Sequence, residues 1–518
     1  MSTTTNHYDL IVLGADVAGL VAAALVARRG KRVLVVPHGN PDGVYRVQGR
    51  IFALDTAPVV HATTPPVERV LAELGLVQQV RRLAAPLDGL QHHAVDEARL
   101  DLSASERNLD AELARVWPDD DAAGAWALRR RWTDATEAVL GELLGSENAL
   151  SANGFWSRRF LSRVSNQLPA RDVDECAPLG DAHALRRLAD APLPWLSHLT
   201  PAQLGKAAAL RLGRLWSRGP EDLPTGERRM RELLLQRIEL HSGEVKRELR
   251  VAELIIKRGK VVGTSLLGKR DRYGCDHLIV AADPRMLVEN ALLGDAAPRS
   301  LLHSLGALAT AAARFVMHVE IDERGITPAL GGMALCCPPP AARRSPDGSA
   351  ADWVPDAAHG VGHTYVRIEP GSSENTRRIA ITRIVAVDDD LSTMREQILD
   401  ELDVRGVLPF CRPWIRLCHS PHDGREAGDG HGEPHVELGP GSAMSLPMAP
   451  IYFSDEAPLL GVGIIPTGSG VRGLSFASRA CLPGLGMEGE FAAGSAAAAL
   501  VATPARSPLS RSSLLSKA

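Results

Sequence analysis

Tyr8 to Val36 reads YDLIVLGADVAGLVAAALVARRGKRVLVV: an apolar strand, a glycine turn, an alanine-rich helix closed by Gly30, and a second apolar strand. That order predicts a βαβ opening of the dinucleotide-binding kind. In the full G-x-G-x-x-G turn the first glycine makes the tight bend, the second lets a pyrophosphate approach the backbone, and the third lets helix and strand pack closely. Gly14 and Gly19 fill the first and third places here, but Asp16 holds the second. Asp16 sets a side chain and a negative charge where two phosphates are expected. Two unit charges at about 4 Å interact by roughly 4 kcal/mol at an effective dielectric of about 20, so an uncompensated Asp16 costs on the order of a thousandfold in affinity. The acid that usually ends the second strand and holds the ribose hydroxyls is missing too, because Pro37 and His38 follow Val36.

The chain has 518 residues, 45% of them hydrophobic, and a net charge of −4. This length carries two or three domains and a large core, and the charge gives no electrostatic case for nucleic acid. The longest apolar stretch, Leu10 to Ala27, contains Asp16 and two glycines and has no basic leader, so it reads as strand, turn and helix rather than a transmembrane segment. With no signal peptide the expected location is cytoplasmic, with peripheral membrane contact left open. Seven scattered cysteines argue against a secreted disulfide framework.

Cys336-Cys337, and Cys411 with Cys418, His419 and His422, gather metal-ligating side chains without the paired C-x-x-C spacing of a structural zinc site. They predict buried or loop cysteines, solvated histidines and no metal. His431 and His435, in the loop GREAGDGHGEPH, read as surface histidines.

After the second strand, a short strand near Ile51 to Leu54 leads into a helix from about Pro66 to Leu74. From Ala104 to Arg214 the apolar spacing is helical, broken at Pro118, Pro169 and Pro194. Trp117, Trp126, Trp132, Trp156, Trp195 and Trp216 fall in or beside this stretch; packing between helices explains them, with an apolar tunnel as the alternative. Near Pro220 the chain returns to helix, strand and hairpin, with Met230, Leu233, Leu234 and Ile238 on the apolar helix face and Gly243 ending it. Strands dominate between Phe315 and Val387, around a proline-rich loop; MREQILDELDV follows as a helix, and the chain closes on a strand, a PGLG turn and a small-residue helix. Beyond Ala502 the composition predicts a disordered tail.

Three segments now fall in a meaningful order: the opening βαβ, the helix leading through Ser242-Gly243-Glu244-Val245 to a hairpin and Ala281-Ala282-Asp283-Pro284, and the terminal Pro483-Gly484-Leu485-Gly486. The order resembles the phytoene desaturase and flavin amine oxidase superfamily. The resemblance implies an α/β, Rossmann-like FAD-binding fold of glutathione reductase/amine oxidase type, with a discontinuous α+β substrate domain and a helical insertion. It implies FAD-binding parts at 1–90, 220–300 and 456–502, a helical cap at 91–219, substrate-domain strands at 301–455 and a tail at 503–518. The cofactor positions it implies are Gly14, Asp16 and Gly19 in the first turn, Val251 against adenine, and Pro483, Gly484 and Gly486, with Gly489 and Gly494 completing the pattern. The family's Gly-Asp falls on Ser478-Arg479, so Arg479 stands where an acid contacts the ribityl and phosphate region. Opposite charges at Asp16 and Arg479 predict an ion pair at the cofactor site.

The function implied is a phytoene desaturase-like, FAD-dependent oxidoreductase acting on an apolar, isoprenoid-like substrate, with no general base assigned. Its alternative is a non-catalytic descendant that has lost FAD and binds a small molecule or protein partner. An ordinary NAD(P) dehydrogenase has no place for the hairpin and terminal glycine element.

Overall fold

The computed structural model describes residues 6–503 apart from 41, 48, 57–63, 87–89, 95–97, 146–149, 151–154, 170–172, 182, 220, 224, 269–271, 294–297, 339–359 and 434–440. The expected proline-rich loop, the C-terminal tail and His435 lie outside these residues.

The opening strand, Asn6–Gly14, runs parallel to Val33–Val36 on one side and to Arg272–Ala281 on the other. Its Leu10–Leu13 run is 0–1% exposed, as a strand covered on both faces requires. The sheet continues through the hairpin Val251–Lys257 and Lys260–Leu266 at one edge and through Glu244–Val245 at the other, while Leu474–Phe476 pairs in parallel with Arg272–Ala281. Ligands of such sheets sit beyond the C-terminal strand ends. Here that edge gathers Gly14, Ala281 and the residues after Phe476.

Helix Val17–Arg28 crosses over this sheet with every residue from Val17 to Ala27 buried. Burial all round follows from its position between the sheet, helix Glu227–Leu240 and the terminal helix Gly486–Val501. Small residues permit the last crossing: a Cβ on Gly494 would lie 2.3 Å from the Ala18 carbonyl oxygen.

The second sheet is built on the long strand Leu308–Asp322, flanked by Thr376–Ala386, Ile415–His419 and Ala449–Ser454. Thr364–Pro370 and Met333–Cys336 extend it. The strands Leu90–Ala94 and Ala98–Leu102, which fall almost wholly in the stretch 91–219 expected to be a helical cap, instead pair with each other as a hairpin and join this sheet by parallel pairing to Met333–Cys336. Helix Met394–Val404 covers one face over Phe315, Met317, Ile379 and Ile381.

Between that hairpin and residue 219 the described residues are mainly helical, including Ala122–Leu144 and Lys206–Ser217. Trp126, Trp195 and Trp216 are buried there, and Trp216 donates through Nε1 to His92 Nε2 at 2.8 Å. No described helix is long and apolar enough to cross a membrane.

Candidate functional site

The first turn sets the geometry. The Asp16 N–H donates to the Ala281 carbonyl at 2.9 Å, the Asp16 carbonyl accepts from Leu20 N–H at 3.0 Å, and the Asp16 side chain caps no helix amide. One of the amides left unpaired at a helix start, that of Ala18, is taken by the carboxylate of Glu490, whose Oε2 lies 3.3 Å away. Glu490 reaches it from the terminal helix, and the Gly494–Ala18 contact one turn further on explains why the two helices lie close enough.

Arg479 reaches the same place from the segment after Leu474–Phe476, held by the bond from Ala477 N–H to the Val280 carbonyl. The expected ion pair with Asp16 does not form. The Arg479 guanidinium is taken instead by Glu227, by Glu490 at 3.3 Å and by Asp55 at 3.5 Å. Glu227 opens helix Glu227–Leu240 and also holds Arg231, with Oε1 2.9 Å from its Nε. His198 Nε2 lies 3.5 Å from Glu490 Oε1. Arg314, 2% exposed, reaches Asp55 at 3.9 Å and donates to the Pro194, Trp195 and Ser197 carbonyls. Asp16 joins this cluster through its field rather than by contact.

The charges respond accordingly. Burial pushes the Asp16 carboxyl up to about 7, with Arg479 opposing and Glu490 adding to the rise. Glu490 is likewise pushed up to about 7 by burial, against the pull of Arg479. Glu227 goes the other way: although burial opposes it, Arg231 and Arg479 hold its carboxyl far below the usual range. Burial, with Arg479 and Arg314 nearby, holds the His198 imidazole well below its ordinary value. Four acids (Asp16, Asp55, Glu227, Glu490) and three arginines (Arg231, Arg314, Arg479) thus share one largely buried site, drawn from segments far apart in the chain.

This donor set does not fit a diphosphate. Two acids stand where it would lie, one of them already on the helix amide that would receive it. The motif glycines are packed closely on backbone. A Cβ on Gly14 would meet the Ala281 carbonyl oxygen at 2.1 Å, one on Gly484 the Val462 Cα at 2.6 Å, and one on Gly486 the Leu196 carbonyl oxygen at 1.9 Å. Pro483 lies in the turn before the terminal helix, its carbonyl accepting from His198 N–H at 2.8 Å. Val251 sits in the edge hairpin, paired with Leu266.

Sequence reading missed Asp55, Glu227, Arg231, His198, Arg314 and Glu490. Only Glu490 carried a signal, as one of two acids, with Glu488, in the first turns of a small and apolar helix. The other expectations divide. All seven cysteines are buried and free. His419 and His422, expected to be solvated, are buried, and their rings bond the Ser442 and Leu446 carbonyls at 2.8 Å each; the sheet and the 442–446 segment cover them. His431 is exposed.

The fold is similar to that of several solved oxidoreductases, amine oxidases among them. An oxidoreductase from Methanosarcina mazei superposes with a TM-score of 0.54 over 94% of this chain and 98% of its own, at 13% identity. Cyclohexylamine oxidase from Brevibacterium oxydans gives 0.52 over 95% and 98%, at 14% identity. Wild-type putrescine oxidase bound to putrescine gives 0.53 over 96% and 99%, at 13% identity. No family model matches the chain. Among curated proteins, Protein FixC of Escherichia coli is 31% identical over 109 residues, 20% of this chain and 26% of FixC. FixC of Salmonella typhi is 30% identical over 143 residues, 27% of this chain and 33% of FixC. The matched region thus spans about a quarter to a third of those relatives.

Proposed function

We propose that this chain uses the amine oxidase-type fold without flavin, as a binding protein descended from FAD-dependent oxidoreductases. The observation that carries this reading is the Glu490 carboxylate seated on the Ala18 amide and on Arg479, in the position a cofactor diphosphate needs. An apolar small molecule is the favoured ligand class. A cavity of about 170 Å³ beside the terminal helix is lined by Leu459, Ile464, Ile465, Leu482, Ala492 and Ala496.

The second reading is an FAD-dependent oxidoreductase, which a fold similarity over 94–95% of the chain supports; desaturase-type chemistry on an apolar substrate is its finer form, carried by the sequence pattern alone. When bound, FAD would supply the hydride chemistry; no residue of this chain is assigned a catalytic role.

One preparation separates the two. The protein is purified without added flavin, its visible spectrum recorded, and any chromophore released by denaturation identified, before and after incubation with excess FAD. The binding-protein reading expects no flavin in either sample. Stoichiometric FAD would overturn it and restore the oxidoreductase.

A further inference from the structure

The site has gained acids but kept cations. Arg231, Arg314 and Arg479 converge on it, and the first turn of helix Val17–Arg28 still points an amide into it. Glu490 behaves there as a ligand does: one oxygen takes the helix amide at 3.3 Å, while the other lies 3.3 Å from Arg479 and 3.5 Å from His198. These distances exceed the ~2.7–2.9 Å of a tight charge-assisted bond.

Two guanidinium nitrogens of the cluster are left over. Among the described residues, Arg314 Nε and Arg479 Nε are buried with no hydrogen-bond partner, the second 3.3 Å from the Glu490 carboxylate without a well-aligned bond to it. Buried polar groups rarely stay unpaired.

We infer that Asp16 and Glu490 are an internal substitute for a diphosphate, and that removing these two carboxylates opens the site to a diphosphate-bearing ligand. The inference rests on the flavin-free reading above. Its charge arithmetic is simple. With all groups ionised, four acids face three arginines; Asp16→Gly with Glu490→Gln leaves Asp55 and Glu227 facing the same three, so an excess negative charge becomes an excess positive one. The glycine also restores the bare second position of the turn.

The test measures binding of inorganic pyrophosphate, ADP and FAD to the full chain by calorimetry, alongside thermal shift. The wild type should give no signal. The double variant should bind pyrophosphate and ADP at least about tenfold tighter than the wild type, with affinity falling as salt is raised, as expected for charges partly open to solvent. Asp16→Asn with Glu490→Gln, close in shape to the native side chains, repeats the measurement if the first variant does not fold. A variant that folds with native circular dichroism and gains no pyrophosphate binding overturns the inference. So does failure of both variants to fold, since the carboxylates would then be structural members of the core. Wild-type FAD binding is a different result, which removes the functional reading beneath it.

Discussion

At the scale of single residues, Asp16 and Arg479 are legible in the sequence as departures from a motif, and their opposite signs suggest a pair. The structure supplies what the sequence could not: Glu227, Glu490 and Asp55 compete for the same guanidinium and win it. Those acids come from separate segments, and nothing local marks them as neighbours. Arg479 therefore neutralises three carboxylates together. Its replacement by alanine leaves them buried without their shared cation, and a loss of about 3–5 kcal/mol in urea unfolding is expected. Lysine should recover only part of that loss, because a single ammonium cannot serve a fork of three partners. A loss below about 1 kcal/mol, as for a solvated pair, would remove Arg479 from the centre of the network. The same cluster fixes a pH dependence. Asp16 and Glu490 have folded values raised to about 7, so the native state holds their protons more tightly than the unfolded chain. Their contribution is fully present below the unfolded carboxylate values and is lost as pH rises through about 7. Glu227 is depressed, so its contribution is present above its unfolded value and is lost as the solution is made strongly acid. Melting temperature should accordingly peak in mildly acid solution and fall toward alkaline pH. Asp16→Asn with Glu490→Gln should flatten the alkaline limb; an unchanged slope in that variant would place the titrating groups elsewhere.

At the scale of elements, the local signals are strong where periodicity and turn chemistry agree. The opening strand and helix, helix Met394–Val404 and the terminal helix all occur where pattern predicts them. The hairpin Leu90–Leu102 escapes because QHHAVDEARLD mixes polar and apolar residues, and its partner strand is Met333–Cys336, more than 200 residues away. Only the tertiary pairing makes it a strand. Gly494 of the terminal helix belongs to the motif, but its physical role here is helix contact. Gly494 faces helix Val17–Arg28, where a new Cβ would lie 2.3 Å from the Ala18 carbonyl oxygen and 2.8 Å from the Val21 Cβ. Backbone on one side leaves no flexible group to yield. Gly494→Ala should cost about 1–3 kcal/mol through forced separation of the two helices, despite alanine's better helix propensity. Because the same crossing holds Glu490 over Ala18, the variant should also alter the pH dependence of melting. A stabilised Gly494→Ala protein would mean that propensity outweighs the contact.

At the scale of the whole molecule, the helical insertion is tied to the dinucleotide-type domain by charge as well as by packing. Arg211, in helix Lys206–Ser217, forks onto Glu488 of the terminal helix through Nε at 2.9 Å and Nη2 at 2.8 Å, and also binds Glu137 of helix Ala122–Leu144. Arg211 is 1% exposed and Glu488 is fully buried. The glutamates drive the Arg211 guanidinium further up, against its burial, so it stays charged. A pair so deeply desolvated gains little over apolar residues of similar volume, but losing one partner strands a charge. Arg211→Met should therefore destabilise the protein by about 3–5 kcal/mol, whereas Arg211→Met with Glu488→Leu should recover most of the loss. The double-mutant cycle, read by urea unfolding with far-ultraviolet circular dichroism and tryptophan fluorescence together, measures the coupling between the two residues. Trp216, buried on the same helix as Arg211, gives fluorescence a local view of the insertion. If the ion pair is what couples the insertion to the core, Arg211→Met should make the fluorescence transition precede the circular dichroism transition, while the wild type and the double variant unfold in one step by both probes. Coincident transitions in Arg211→Met would mean that the apolar contacts around Trp216 and Leu212 hold the insertion without the charge.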